Sequence, residues 1–349
     1  MSKLHIPKPF SAGIFLTYKC TGECRHCMYA CSPKWRSDWI DLKGAEEIIE
    51  FLSRSFTEYY PKDFSQVGVN VGLHFTGGEP FLNFDLLLSL VEVANNYDVP
   101  SIFVETNCFW CINDSVVEEK LLKLRRAGLD GILISANPFV VEHVPFERIE
   151  RAVRISRRIF GRNTMIYQEN FYNQLKSINL SGTLPFESYL SIMREKDPIG
   201  LYFGLSYPSM LLMGRLPFRL GHLYERFPAK MFFSGSCLEE LTRNWHVHID
   251  NYYNYVTGYC AGITLGDARK LEILCQDGID LDEYPVVGRL VASDGIKRLF
   301  TYASEEYGYR ERGDGYISKC HLCLDIRRHI VEHDSGLREL KPKEFYEHL

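Results

Sequence analysis

The sequence lacks any apolar run long enough to cross a membrane. Its longest apolar patch, LLLSLV at 86–91, is of helix-core length, against the about 20 residues a bilayer span needs. The first ten residues, MSKLHIPKPF, contain no apolar core segment, so no secretory signal is expected. There is no basic excess either. Lys and Arg total 40 against 45 Asp and Glu, for a net charge of −5. Binding a phosphate backbone takes concentrated basic residues, so no nucleic acid partner is expected. The one basic stretch, RISRRIF at 154–160, is spaced like the solvated face of a helix. Low-complexity segments and short repeats are missing too. Cysteine, by contrast, is plentiful, with eleven in the chain. A chain with no membrane span and no signal is expected in the cytoplasm, where thiols stay reduced. The cysteines are therefore candidate metal ligands or catalytic groups rather than disulfides, and their odd number argues the same way.

With 349 residues, 46% of them hydrophobic, the chain can bury one large core or two ordinary ones. From residue 12 to about 207 the pattern alternates strand and helix. Apolar runs at 12–18, 69–76, 101–107, 131–137, 164–172 and 200–207 read as strands. Between them, 42–56, 83–98, 114–128, 145–161 and 186–197 read as helices, with Asn83 and Asp114 as caps and Gly128 and Gly161 as stops. About six such units predict an α/β fold with parallel strands, a partial (βα)6 TIM-like barrel. The unusual residues all follow strands, and in such a barrel those loops gather at one face.

After about residue 230 the pattern changes. WHVHIDNYYNYVTGY at 245–259 reads as a β-hairpin around an Asp-Asn turn, and helical segments follow. The expected organisation is a partial barrel over 1–230 and a small α+β iron–sulfur domain with C-terminal helices over 231–349.

The stretch TYKCTGECRHCMYAC at 17–31 carries Cys20, Cys24, Cys27 and Cys31 as C-x3-C-x2-C-x3-C. Thiolates this close can converge on one metal centre, and iron–sulfur clusters are held by cysteine thiolates. Three ligands leave one iron open; a fourth from Cys31 would close the site or hold zinc. Gly77 and Gly78 in GGEP permit close backbone approach, and Glu79 offers an anionic acceptor for an ammonium group.

C-x3-C-x2-C after the first strand, with the His26 ring before the last cysteine, resembles the radical S-adenosylmethionine (radical SAM) enzymes. The resemblance extends to Gly77, Gly78, Glu79 and Pro80, to ETN ending at Asn107, and to Ser135. It covers roughly residues 10–220. It implies a 4Fe–4S cluster on Cys20, Cys24 and Cys27 whose open iron chelates the amino and carboxylate groups of SAM. It also implies reductive cleavage to a 5′-deoxyadenosyl radical that abstracts hydrogen from a substrate. His26, the GGEP residues, Asn107 and Ser135 would bind the cofactor. Arg148, on the helix after the fourth strand, is a candidate for the methionine carboxylate or a surface arginine.

Cys237, Cys260, Cys320 and Cys323 make a second set, with the C-x2-C spacing of a metal knuckle in CHLC at 320–323. This part resembles the twitch or SPASM extension of radical SAM enzymes, reduced to one auxiliary 4Fe–4S cluster. GRL at 214–216 is similar to the bridge of such enzymes. Zinc is the rival occupant. Cys108, Cys111 and Cys275 read as buried thiols, with a redox or substrate-facing pair at 108 and 111 as the alternative. His246 and His248 alternate on one face of the hairpin and read as hairpin side chains.

The function expected is a radical SAM enzyme acting on a peptide, protein or small metabolite, reduced by a flavodoxin or ferredoxin. The alternative is a non-catalytic iron–sulfur or zinc protein for electron transfer or metal-dependent binding. Substrate and product are not legible in the residues.

Overall fold

The computed structural model describes residues 3–334 and 336–349. The chain forms two compact units. One comprises Phe10–Cys24 and Cys31–Met210; the other comprises residues up to Pro9, Arg25–Ala30 and Leu211–Leu349.

In the first unit, β1 (Ser11–Phe15), β2 (Gly72–Thr76), β3 (Ile102–Thr106), β4 (Gly131–Ser135) and β5 (Thr164–Tyr167) run parallel, each beside the next. The register pairs Phe15 with Thr76, Phe75 with Val104, Thr106 with Ile134 and Ser135 with Tyr167. These pairings bring the C-terminal strand ends to one edge of the sheet. β1 to β4 are buried almost throughout, as expected where crossover helices cover a parallel sheet, and the edge strand β5 is half-buried to exposed.

The crossovers are α1 (Leu42–Phe56), α2 (Phe84–Asn96), α3 (Asp114–Arg126) and α4 (Phe146–Phe160). α1 shows how they attach. Asp41 caps its start by accepting from the Gly44 N–H, and Ile48, Ile49, Leu52 and Phe56 form a fully buried stripe at helical spacing. Burial of each such side chain stabilises by roughly 1.5–3 kcal/mol. Asn83 caps α2 as expected. α3 departs by one position. Asn113 is its cap, accepting from the Val116 N–H, and Asp114 instead pairs with Arg151 and Arg154 of α4.

Two strand expectations are corrected. The fifth strand stops at Tyr167, and α5 (Glu169–Ser177) begins where a continued strand was expected. GLYFGLSY is not a sixth strand. After α6 (Phe186–Lys196) it forms α7 (Pro198–Leu205), with Pro198 in its first turn and Asp197 accepting from the Gly200 N–H at 2.9 Å. An apolar run without alternation does not separate strand from helix, and the proline and capping aspartate decide here. The unit therefore has five parallel strands among the described residues, not six.

In the second unit, β6 (Val247–Ile249) and β7 (Tyr255–Val256) form the expected antiparallel hairpin. Asp250 Oδ1 accepts the N–H groups of Tyr252 and Asn254 in its turn. CHLC opens the Lys319–His333 helix, capped by Ser318. No helix among the described residues is long and apolar enough to cross a membrane.

Candidate active site

The strand ends of the first unit are tied together by backbone and carboxylate. The Gly78 N–H donates to the Thr17 carbonyl at 2.7 Å, and the Glu79 N–H to the Lys19 carbonyl at 3.0 Å. The GGEP loop is thus paired with the chain entering the cysteine loop. A Cβ on Gly78 would lie 1.9 Å from the Lys19 oxygen, so only glycine permits the approach. Gly77 has a φ of 120° and faces the Thr17 carbonyl. Pro80 is buried at the start of a short turn, Pro80–Asn83.

Glu79 is fully buried at this junction. Its Oε1 accepts from the Phe81 N–H (3.2 Å) and the Thr106 hydroxyl (2.9 Å), and its Oε2 from the Asn107 N–H (2.8 Å). Burial pushes its pKa up to about 7, and the three hydrogen bonds oppose that rise. One acceptor position on Oε2 remains for a ligand, by the count of carboxylate lone pairs. The Asn107 side chain then reaches the cysteine loop. Its Nδ2 donates to Thr21 Oγ1 at 2.9 Å and lies 3.6 Å from Cys20 Sγ. One continuous network therefore runs from GGEP through ETN to the first cysteine.

Cys20, Cys24 and Cys27 are half-buried, whereas Cys31 is 3% exposed. The Cys20 N–H donates to the Ser32 carbonyl at 3.1 Å, which closes the loop at its base beside Cys31. In the second unit, the segment carrying His26 and Cys27 is clasped by GRL. The Arg215 N–H donates to the Cys27 carbonyl at 3.0 Å, and Arg215 Nη2 to the Ala30 carbonyl at 2.6 Å. Gly214, with φ of 61°, packs so close that a Cβ would lie 2.5 Å from Met28 Cα. Burial, and then the Arg215 charge, pull the His26 imidazole down to about 4, so it is neutral at pH 7.

Other expected residues fall as follows. Ser135 ends β4, half-buried and in register with Tyr167. Arg148 donates to the Phe109 carbonyl and so holds the loop after β3. Cys108 and Cys111 are both fully buried, and burial and the Cys111 thiol beside it push Cys108 up. They lie inside the strand-end network rather than on its surface. Cys275 is likewise buried, and burial raises it to about 11. His248 accepts or donates with Tyr29 at 2.8 Å and stands 4.7 Å, ring to ring, from His246.

Cys237, Cys260, Cys320 and Cys323 come together. Burial raises Cys260, and the charges of Cys320, Cys237 and Cys323 raise it further. Burial with Cys323 and Cys237 pushes Cys320 up to about 12, and burial with Cys323 lifts Cys237 to about 11. Two cations stand among them. Lys319 meets the Cys237 sulfur. Arg327, 3% exposed, meets Cys323 and feels Cys260. Arg327 is fixed by bonds to the Ala261 carbonyl (2.9 Å) and the Tyr346 hydroxyl (2.8 Å). Among the described residues no three of these sulfurs all lie within 4.8 Å of one another.

Sequence reasoning missed Lys319 and Arg327, and had Thr106 only as part of the ETN motif. The signals were present: Arg327 lies one helical turn after Cys323, and Lys319 immediately precedes Cys320.

No family model matches the chain. YydG of Bacillus subtilis (strain 168), named for peptide biosynthesis, is 25% identical over 148 residues. That match spans 42% of this chain and 42% of YydG, less than half of either. Among solved structures, BtrN in complex with AdoMet and 2-DOIA is 12% identical at a TM-score of 0.41, over 84% of this chain and 89% of that one. Native anSMEcpe with bound AdoMet and Kp18Cys peptide is 11% identical at 0.42, over 93% and 98%.

The first unit is an α/β unit in which Cys20 and Cys24 follow a strand at the C-terminal edge of a parallel sheet, their loop tied to a GGEP turn. With its motifs in that order, the chain resembles the radical SAM enzymes, and it is similar to YydG over the matched 148 residues.

Proposed function

We propose that the protein is a radical SAM enzyme that modifies a peptide and holds a second 4Fe–4S cluster on Cys237, Cys260, Cys320 and Cys323. The observation that carries the reading is the network Glu79–Asn107–Cys20, which joins three separate loops at one strand edge. A closed structural metal site would have no use for it. When bound, the cluster and SAM supply a 5′-deoxyadenosyl radical for hydrogen abstraction.

The residues suit that task. Cys20, Cys24 and Cys27 are partly accessible and would hold three irons, while the burial of Cys31 supports an open fourth. Gly77 and Gly78 let the GGEP loop, with Pro80, pack against the Thr17 and Lys19 backbone, and Glu79 would offer its acceptor to an ammonium group. Asn107 donates towards the Cys20 sulfur and steadies it. His26 and Ser135 complete the cofactor side of this reading; Arg148 shapes the loop beside it.

For the second centre, the spread of the sulfurs favours a cluster over zinc. A single tetrahedral zinc, with Zn–S of about 2.3 Å, would bring its sulfurs within about 3.8 Å of one another. A peptide substrate is supported by the similarity to YydG over the matched 148 residues. The reading carries with it a cytoplasmic location and a flavodoxin- or ferredoxin-type donor.

The test is 5′-deoxyadenosine formation from SAM by anaerobic, iron-loaded protein with a strong reductant. Formation that vanishes in Cys24→Ala is expected. No formation, with both centres filled by iron and sulfide analysis, would sink the proposal in favour of a non-catalytic iron–sulfur protein.

A further inference from the structure

The Lys319–His333 helix serves two faces. Cys320, Cys323 and Arg327 recur at three- and four-residue spacing and share the thiol side. His321 and Arg328 lie on a neighbouring stripe, turned by about 100° per residue. That stripe borders a cavity of about 310 Å³, lined also by Pro217, Phe218, Arg219, Arg226, Arg312 and Leu349.

His321 is 1% exposed. Its Nδ1 accepts from the Ile317 N–H at 3.2 Å, so the ring proton resides on Nε2. That buried Nε2 has no hydrogen-bond partner in the protein. A buried donor without a partner costs about 1–3 kcal/mol, which a ligand acceptor would recover. Around it stand four guanidiniums. Arg226 pairs with Asp314, Arg312 with Asp314 and Asp325, and Arg328 with Glu332. None of those carboxylates lines the cavity. Arg226 uses one terminal nitrogen, on Asp314 and the Gly315 carbonyl, and Arg328 uses only its Nε. Their remaining donors are available, each guanidinium carrying five.

We infer that this cavity is a binding site for an oxyanion group, a carboxylate or a phosphate ester. Planar guanidinium forks match both groups bidentately. At about 310 Å³ the cavity is at the small end of ligand pockets, sized for a head group rather than a whole cofactor. The inference does not depend on the proposed function.

Inorganic phosphate and, separately, acetate are titrated calorimetrically into the full iron-loaded chain at constant ionic strength. A saturable one-site isotherm is expected. It should weaken about tenfold in His321→Phe and in Arg328→Gln. Arg328 is 39% exposed, so its variant keeps the fold even where His321→Phe does not. Phosphate binding alone assigns a phosphate ester; acetate binding assigns a carboxylate. No saturable binding of either, or binding unchanged in folded Arg328→Gln, overturns the inference.

Discussion

The two thiol regions differ in how their sulfurs are surrounded. On the N-terminal loop, Cys20, Cys24 and Cys27 are half-buried, and Asn107 is a polar side chain aimed at the Cys20 sulfur. The nearby fourth cysteine, Cys31, is buried at the base of the loop. In the C-terminal unit, four thiols repel one another in a low-dielectric setting and share the cations Lys319 and Arg327. Four thiolates gathered by burial need counter-charge to be stable, and the chain provides two. Three thiolates on an accessible loop need a fixed base, and GGEP is packed against the backbone that enters that loop. Their surroundings differ in accessibility and counter-charge, as the proposed open and closed centres require.

The largest effect should come from removing the counter-charge. Arg327→Gln removes one of the two cations beside the buried thiolates and breaks its bonds to Ala261 and Tyr346, costing about 3–5 kcal/mol. Chemical denaturation of the iron-loaded protein measures this. The midpoint potential of the C-terminal centre should fall, because the reduced form loses one of its two neighbouring positive charges. A normal iron content with an unchanged potential would erase the distinction between the two regions. Next in size is Asn107→Ala. Loss of a donor to a ligating sulfur lowers affinity or activity about 10- to 100-fold. The potential of the N-terminal centre should also drop in redox-titrated EPR while the other stays put. A shift in both would mean the two regions are not distinct.

The smallest concerns the strand edge. Burial pushes Glu105 up to about 7, opposed by the Thr76 hydroxyl at 2.6 Å. The unfolded chain deprotonates first, near the usual value of 4.5, so this residue's contribution is fully present below that pH. It is lost as pH rises through about 7. Glu105→Gln should therefore gain melting temperature relative to the parent at pH 8 and not at pH 4. Parallel melting curves at both pH values would contradict the raised pKa of that carboxyl.

Much of this was legible in the residues. Helix α1 matched its expected bounds because its apolar stripe, cap and length agree. The strands before the cysteine, GGEP and ETN loops were equally plain, since each short apolar run ends at punctuating residues. GLYFGLSY misled because eight residues rich in apolar side chains carry no period, and Ile199, Tyr202 and Phe203 are in fact exposed on α7. Asp114 misled because Asn113 beside it caps equally well. The cysteine, GGEP and Asn107 motifs were visible one by one. Their joining through Glu79 and Thr106 was not, because hydrogen bonds between residues 27 positions apart leave no mark on local pattern. Arg327 was hidden for a related reason: a buried arginine looks like a surface one until its neighbours are known.

The central claim is that the N-terminal centre has an open iron and that Cys31 is not a ligand. Pulsed ENDOR on the reduced protein with SAM labelled by 15N at the methionine amino group tests it most directly. The account predicts a strong 15N coupling that persists in Cys31→Ala and in Cys260→Ala and disappears in Cys24→Ala. A coupling lost in Cys31→Ala, or absent from the parent protein with both centres filled, would contradict it.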